Sequence, residues 1–210
     1  MLPSLAAHWH RLTEPLLSDV FRRTAVFEQL AAAYEAPGRH YHTLTHIQSL
    51  LDAAEQAAGQ LHDPVVVQLA VWFHDAVYEP LRSDNETRSA ELAREFLAGT
   101  SLSPERRERV AFLIGRTQDH TQPQPPDDAD LLFFLDADLS ILGAPETQYQ
   151  EYTRQIRQEY RVVPGLLYRS GRRKVLKKML AMPALYRTAA YHARLEEAAR
   201  RNLQAELQRL

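Results

Sequence analysis

Three histidines crowd one short stretch, RHYHTLTH: His40, His42 and His46. Residues four apart on a helix share a face at about 6 Å. His42 and His46 therefore have the spacing of two ligands to one metal ion. Thr43 stands where the HExxH metalloprotease motif places its general-base Glu, so that chemistry is excluded. A polar helix face with satisfied imidazoles is the alternative. A second group is the pair His74–Asp75, which sits inside the apolar run VVVQLAVWFHDAVY. A bare His–Asp pair is expected by chance about half a time in a chain of this composition, so context must decide. His62–Asp63 is such a pair, and there the Asp precedes Pro64 and reads as a helix N-cap. Capping does not explain Asp75, and a buried ionised carboxylate is costly unless it is paired or holds a metal. The third group is Asp136 and Asp138 in FFLDADLSILG. Residues two apart on a helix diverge by roughly 200°, so the two carboxylates cannot face one site. One is expected to point to a core site and the other to a cap or to solvent. His120 ends a helical stretch before a proline-rich loop, where its imidazole could be a site residue or simply favour the helix macrodipole.

The elements that must position these groups read as helices. Apolar residues recur at helical spacing over 5–17, 20–34 and 41–58. Asp63–Pro64 opens a helix that is apolar nearly all round and so marks a buried centre. Ser83 and Glu86 have the spacing of a capping box for a helix over 84–97. Ser103–Pro104 starts another, running to about His120. TQPQPPDD (121–128) is a loop. Helical patterns then cover 129–142, 145–162, 166–181 and 189–210, with breaks at Pro164–Gly165 and Pro183. No alternating strand pattern exceeds a few residues. The expected fold is all-α, about nine or ten helices in one domain over 1–210.

The 210 residues contain no cysteine, which excludes a disulfide scaffold, a thiol nucleophile and any Cys-based zinc site. No apolar run is long enough to span a membrane. The N-terminal stretch lacks the pattern of a signal peptide, so a cytoplasmic protein is expected. The formal net charge of −2 hides two opposed parts. Residues 1–150 hold 11 Lys/Arg against 22 Asp/Glu, whereas residues 151–210 hold 14 against 5. The basic helices at 145–210 are expected to pack against an acidic metal-site core at 39–143 and to offer cations to an anionic ligand. Arg157, Arg161 and Arg172 are the candidates to reach a substrate. Trp72 and Phe73 read as core, and Tyr41, Tyr152 and Tyr160 as core or rim, with stacking on a base as the alternative.

In order, the motifs are YHTLTHI (41–47), FHDAVY (73–78), NETRSA (85–90), TQDH (117–120), LDADLSILG (135–143) and RQEY (157–160). This series resembles the HD-domain superfamily of metal-dependent phosphohydrolases, and most closely the subgroup of predicted metal-dependent HD phosphohydrolases. The resemblance implies an HD-like helical bundle with His42, His74, Asp75 and Asp138 as ligands of a divalent ion. Two imidazoles and two carboxylates suit Mn, Fe, Co, Ni or Zn better than Ca, and Mg is a further candidate. Asp75, His46, His120 and Glu86 are the implied catalytic groups. Arg39, Asn85, His46 and His120 are the implied substrate contacts. His46 and His120 are expected to contact phosphate or move protons, or else to bind a second ion bridged by Asp75. For Glu86 the alternatives are the capping box or the orientation of a ligand histidine. For Arg39 they are a bidentate phosphate contact or a surface salt bridge.

The expected function is hydrolysis of a small phosphorylated substrate, a phosphomonoester or nucleotide, by a metal-activated water. A ligand-binding or regulatory HD-like protein without turnover is the alternative. A third reading is nucleic-acid binding through Arg169, Arg172, Arg173, Lys174, Lys177 and Lys178, although on one helix these wrap around more than one face. No membrane partner is expected, and the long amphipathic terminal helices suit a homodimer.

Overall fold

In a computed structural model describing residues 2–210, the chain is all-helical, with no strand among the described residues. Among the described residues there are ten α-helices, with a short 3-10 turn at three of the junctions. The chain divides into two compact units, Met1–Gln118 and Asp119–Leu210. No helix among the described residues is long and apolar enough to cross a membrane.

The first unit holds α1 (Leu2–Thr13), α2 (Val20–Tyr34), α3 (Leu44–Gln56), α4 (Pro64–Phe73), α5 (Asn85–Leu97) and α6 (Pro104–Arg116). Asp19 caps α2 by accepting from the Arg22 amide, so that helix starts where its apolar periodicity starts. At its far end Gly38 adopts φ +101°, a left-handed conformation that glycine takes without strain and that reverses the chain after Pro37. The pivot of the unit is α4. Asp63 caps it through the Val66 amide at 3.2 Å, with Pro64 in the first turn. The same carboxylate takes a two-point ion pair from Arg106 of α6, at 2.6 and 2.8 Å. Seven of the ten residues of α4 are buried.

An aromatic cluster forms around Trp72 and Phe73, as their place in the apolar run implies. Trp9 meets Trp72 edge-on at 5.4 Å, and Phe96 closes on Trp9 at 5.2 Å. The polar atoms of these rings are satisfied internally. Trp9 Nε1 donates to the Arg23 carbonyl at 2.8 Å, and Trp72 Nε1 donates to His8 Nδ1 at 3.3 Å. His8 is thereby used as a neutral acceptor, and its burial lowers its pKa.

The second unit holds α7 (Ala129–Asp138), α8 (Glu146–Glu159), α9 (Gly165–Leu180) and α10 (Ala189–Arg209). A 3-10 turn over Leu139–Gly143 packs on α10. Gly143 makes that approach feasible, because a Cβ there would lie 2.6 Å from Leu195 Cβ and 2.9 Å from Leu195 O. Asn202 fastens the same corner by donating to the carbonyls of Leu142 and Ala144 at 2.8 and 2.9 Å. Buried Glu196 accepts from the amides of Leu185 and Tyr186 and from Arg200 Nε. Those donors outweigh burial and hold its carboxyl below the usual range. Glu206 of α10 is gripped by Arg172 of α9 at 2.7 and 2.9 Å and by the Tyr149 hydroxyl of α8.

Candidate metal centre

The first unit brings His42, His46, His74 and Asp75 together, but not by the local geometry that their spacing suggests. The helical reading of 41–58 is too long at its start. α3 begins at Leu44, with Thr43 as an extended N-cap (φ −121°, ψ 178°). His42 therefore precedes the helix and His46 lies in its first turn, so the pair does not occupy one helix face. Their rings nevertheless stand 6.0 Å apart. What overrides the helical periodicity is Arg39. Its guanidinium donates to the carbonyls of His42 at 3.2 Å, Asp75 at 2.6 Å and Ala76 at 3.0 Å. It also lies between the rings of Tyr34 and Tyr78, at 5.0 and 5.3 Å. A single half-buried cation thus staples the segment before α3 to the end of α4. The sequence offers Arg39 a phosphate contact or a surface salt bridge; in the fold its guanidinium is held by three carbonyls.

The placement of His74–Asp75 is likewise different from an interior helical one. α4 ends at Phe73, His74 is its C-cap, and Asp75 follows in a turn. The tail of the motif is held from α5. Asn85 accepts from the Glu79 amide at 3.0 Å and donates to the Glu79 carbonyl at 2.9 Å. Ser89 Oγ accepts from the Val77 amide at 3.0 Å. Asn85 and Ser89 of NETRSA therefore fix the segment that leaves Asp75. The capping box expected of Ser83 and Glu86 does not form. The N-cap is Asp84, whose carboxylate is occupied by Arg82 at 2.6 and 2.7 Å, and Ser83 lies outside the helix, its carbonyl taken by Gln118. Glu86 sits half-buried in the first turn of α5.

The chemistry of the cluster follows from His74. Its side chain is 1 % exposed, and its Nδ1 lies 2.9 Å from the Val71 carbonyl. A carbonyl only accepts, so Nδ1 is assigned the proton, and in the neutral ring Nε2 carries the lone pair. That nitrogen lies 3.2 Å from Asp75 Oδ2. Lone pair facing carboxylate is repulsive. A proton held between the two atoms, on the ring or on the carboxyl, or a cation bound to both, relieves it. Ligand histidines typically donate their other nitrogen to a backbone carbonyl, which is the arrangement here. His46 is buried, its ring 5.5 Å from that of His74. His46, His74 and Asp75 each offer a donor atom, all within 4.8 Å of one another, so the cluster could hold a metal ion. His42 borders it, with Nε2 4.0 Å from Asp75 Oδ2 and its ring 4.4 Å from Tyr78. The donor set is imidazole and carboxylate, which suits borderline divalent ions. Tyr78 has no sequence signal beyond its place in FHDAVY, and Tyr41 reads there as core or rim with base stacking as the alternative. Tyr41 stands 5.0 Å from both His42 and His46, and its only sequence signal is its place beside them.

The second unit contains the remaining candidates. Asp136 and Asp138 diverge, as two residues apart on a helix must. Asp136 is fully buried and caps the segment leading into α10. It accepts from the amides of Arg187 at 2.9 Å and Thr188 at 2.7 Å and from the Thr188 hydroxyl at 2.8 Å. Burial raises its carboxyl above the ordinary range against the pull of these donors. Asp138 ends α7 and lies 3.0 Å from His120 Nε2. The His120 carbonyl in turn accepts from Arg187. Arg157 donates to the carbonyls of Tyr160 and Val163, and Arg172 is committed to Glu206. Compared with known proteins, the chain matches no family model, no curated protein and no solved structure.

Proposed function

We propose that the protein is a metal-dependent phosphohydrolase of the HD type, acting on a small phosphorylated molecule such as a phosphomonoester or nucleotide. One observation carries the reading: buried His74 sets Nδ1 2.9 Å from the Val71 carbonyl and Nε2 3.2 Å from Asp75, with His46 alongside. His74 and Asp75 are the first ligands, with His46 or His42 beside them. A divalent ion held there supplies Lewis acidity toward a phosphoryl oxygen and lowers the pKa of a water. His42, with Nε2 4.0 Å from the same Asp75 oxygen and its side chain 19 % exposed, is the group at the site's edge that could pass a proton to solvent. Arg39 and Asn85 act as positioning residues, since both grip the backbone that carries the ligands. The ordered motif series supports phosphoester hydrolysis over other metal chemistry. Binding without turnover is the competing outcome.

Turnover is tested by stripping the protein with chelator, reloading it with Mn, Co, Ni or Zn, and assaying phosphate release from phosphomonoesters and nucleotides. Metal-dependent release that disappears on chelation is expected. Tight nucleotide binding with unchanged nucleotide under every metal would replace the enzyme with a ligand-binding protein.

A further inference from the structure

We propose that the second unit carries a separate ligand site, a cleft that binds a small phosphate-bearing anion. The cleft has a volume of about 400 Å³ and is bounded by α8, the start of α9 and the end of α10. That volume lies in the range of small-molecule sites, roughly 300–1,000 Å³. Four arginines line it: Arg154, Arg157, Arg169 and Arg209. Its one acidic side chain, Glu206, already holds Arg172 in a two-point pair. Arg154 pairs with Glu151, and Arg209 meets Glu146 at 3.1 Å. Arg157 and Arg169 have no carboxylate partner within ion-pair distance among the described residues, so two guanidiniums at the wall are not already paired.

Arg157 is also preset. It donates to the Tyr160 carbonyl at 2.6 Å and the Val163 carbonyl at 3.2 Å, and it stacks on the Tyr168 ring at 4.8 Å. Its charge is fixed at the wall, and little side-chain entropy remains to be lost when an anion arrives. Arg169, one residue beyond Tyr168, is exposed and makes no ion pair. Anchored and exposed guanidiniums around one cleft favour a compact anion of more than one charge, and guanidinium forks match phosphate geometry. None of the lining residues is a proposed metal ligand, so the inference stands apart from the metal reading.

Calorimetric titration of the full chain with inorganic pyrophosphate, in EDTA and at low salt, tests it. Saturable one-to-one binding is expected. Arg169→Gln should weaken it about 10-fold, the scale of one charge-assisted hydrogen bond, without moving the unfolding transition. Arg154→Gln should weaken it in the same direction. Lys174→Gln, exposed and outside the cleft, and Asp75→Ala, in the first unit, should leave it unchanged. Absence of saturable binding at millimolar pyrophosphate would overturn the proposal. So would equal losses in Arg169→Gln and Lys174→Gln, which would mark diffuse surface charge.

Discussion

Asp75→Ala is expected to abolish tight metal binding while leaving the first unit folded. The carboxylate is one of the donors that stand within 4.8 Å of one another. Changes outside the ligand shell commonly cost about 10–100-fold in metal affinity, so loss of a ligand should exceed that. The fold should survive, because Arg39 grips the backbone carbonyl of Asp75 and not its side chain. Two readouts separate these effects. Metal content after dialysis should fall from near stoichiometric to background. Thermal unfolding of the native protein should shift upward with added metal, by about 2.7 kcal/mol at a hundredfold excess over Kd, and the variant should show no such shift. His62→Ala, at the other His–Asp pair, should behave as native, since Asp63 there is a helix cap. Retention of full metal content by Asp75→Ala would remove Asp75 from the ligand set.

The second large effect is expected in the other unit. Arg172→Met should destabilise it by about 3–5 kcal/mol, because a buried carboxylate loses its cation. The side chains of Arg172 and Glu206 are only 11 % and 10 % exposed, so solvent cannot replace the lost partner. The Tyr149 hydroxyl remains as a donor to Glu206, and burial together with that carboxylate pushes its own pKa far up. A phenol alone does not neutralise the charge. Pairing Arg172→Met with Glu206→Leu removes both ions and should recover most of the loss, which a double-mutant cycle in denaturant would show. A cost below about 1 kcal/mol for the single variant would place the pair among ordinary surface ion pairs.

Much of the architecture is legible in the sequence because helix signals are local. The span Val20–Tyr34 is read correctly from its apolar periodicity, and Asp63–Pro64 marks the start of α4. The site is less legible, because what shapes it is not local. Periodicity carries 41–58 as one helix, whereas Arg39 reaches carbonyls 36 and 37 residues away and holds His42 outside it. The apolar run suggests a helix continuing past His74, whereas α4 stops at Phe73 and turns the His–Asp pair at its end. The divergence of Asp136 and Asp138 follows from helix geometry, but the partner that claims Asp136 lies 51 residues on. Ser83 and Glu86 have capping-box spacing, yet the cap falls one residue later at Asp84, whose carboxylate Arg82 occupies. Asn85 and Ser89 look like site residues in a motif and serve as struts for the chain leaving Asp75.

His74 and Asp75 are proposed to share a divalent ion. Anomalous scattering from crystals grown with Mn or Co tests this most directly. A peak about 2.0–2.3 Å from His74 Nε2 and from an Asp75 carboxylate oxygen, with His46 or His42 completing the shell, is the predicted result. A map with no peak there, and with His74 Nε2 hydrogen-bonded to Asp75 as an imidazolium, would contradict it.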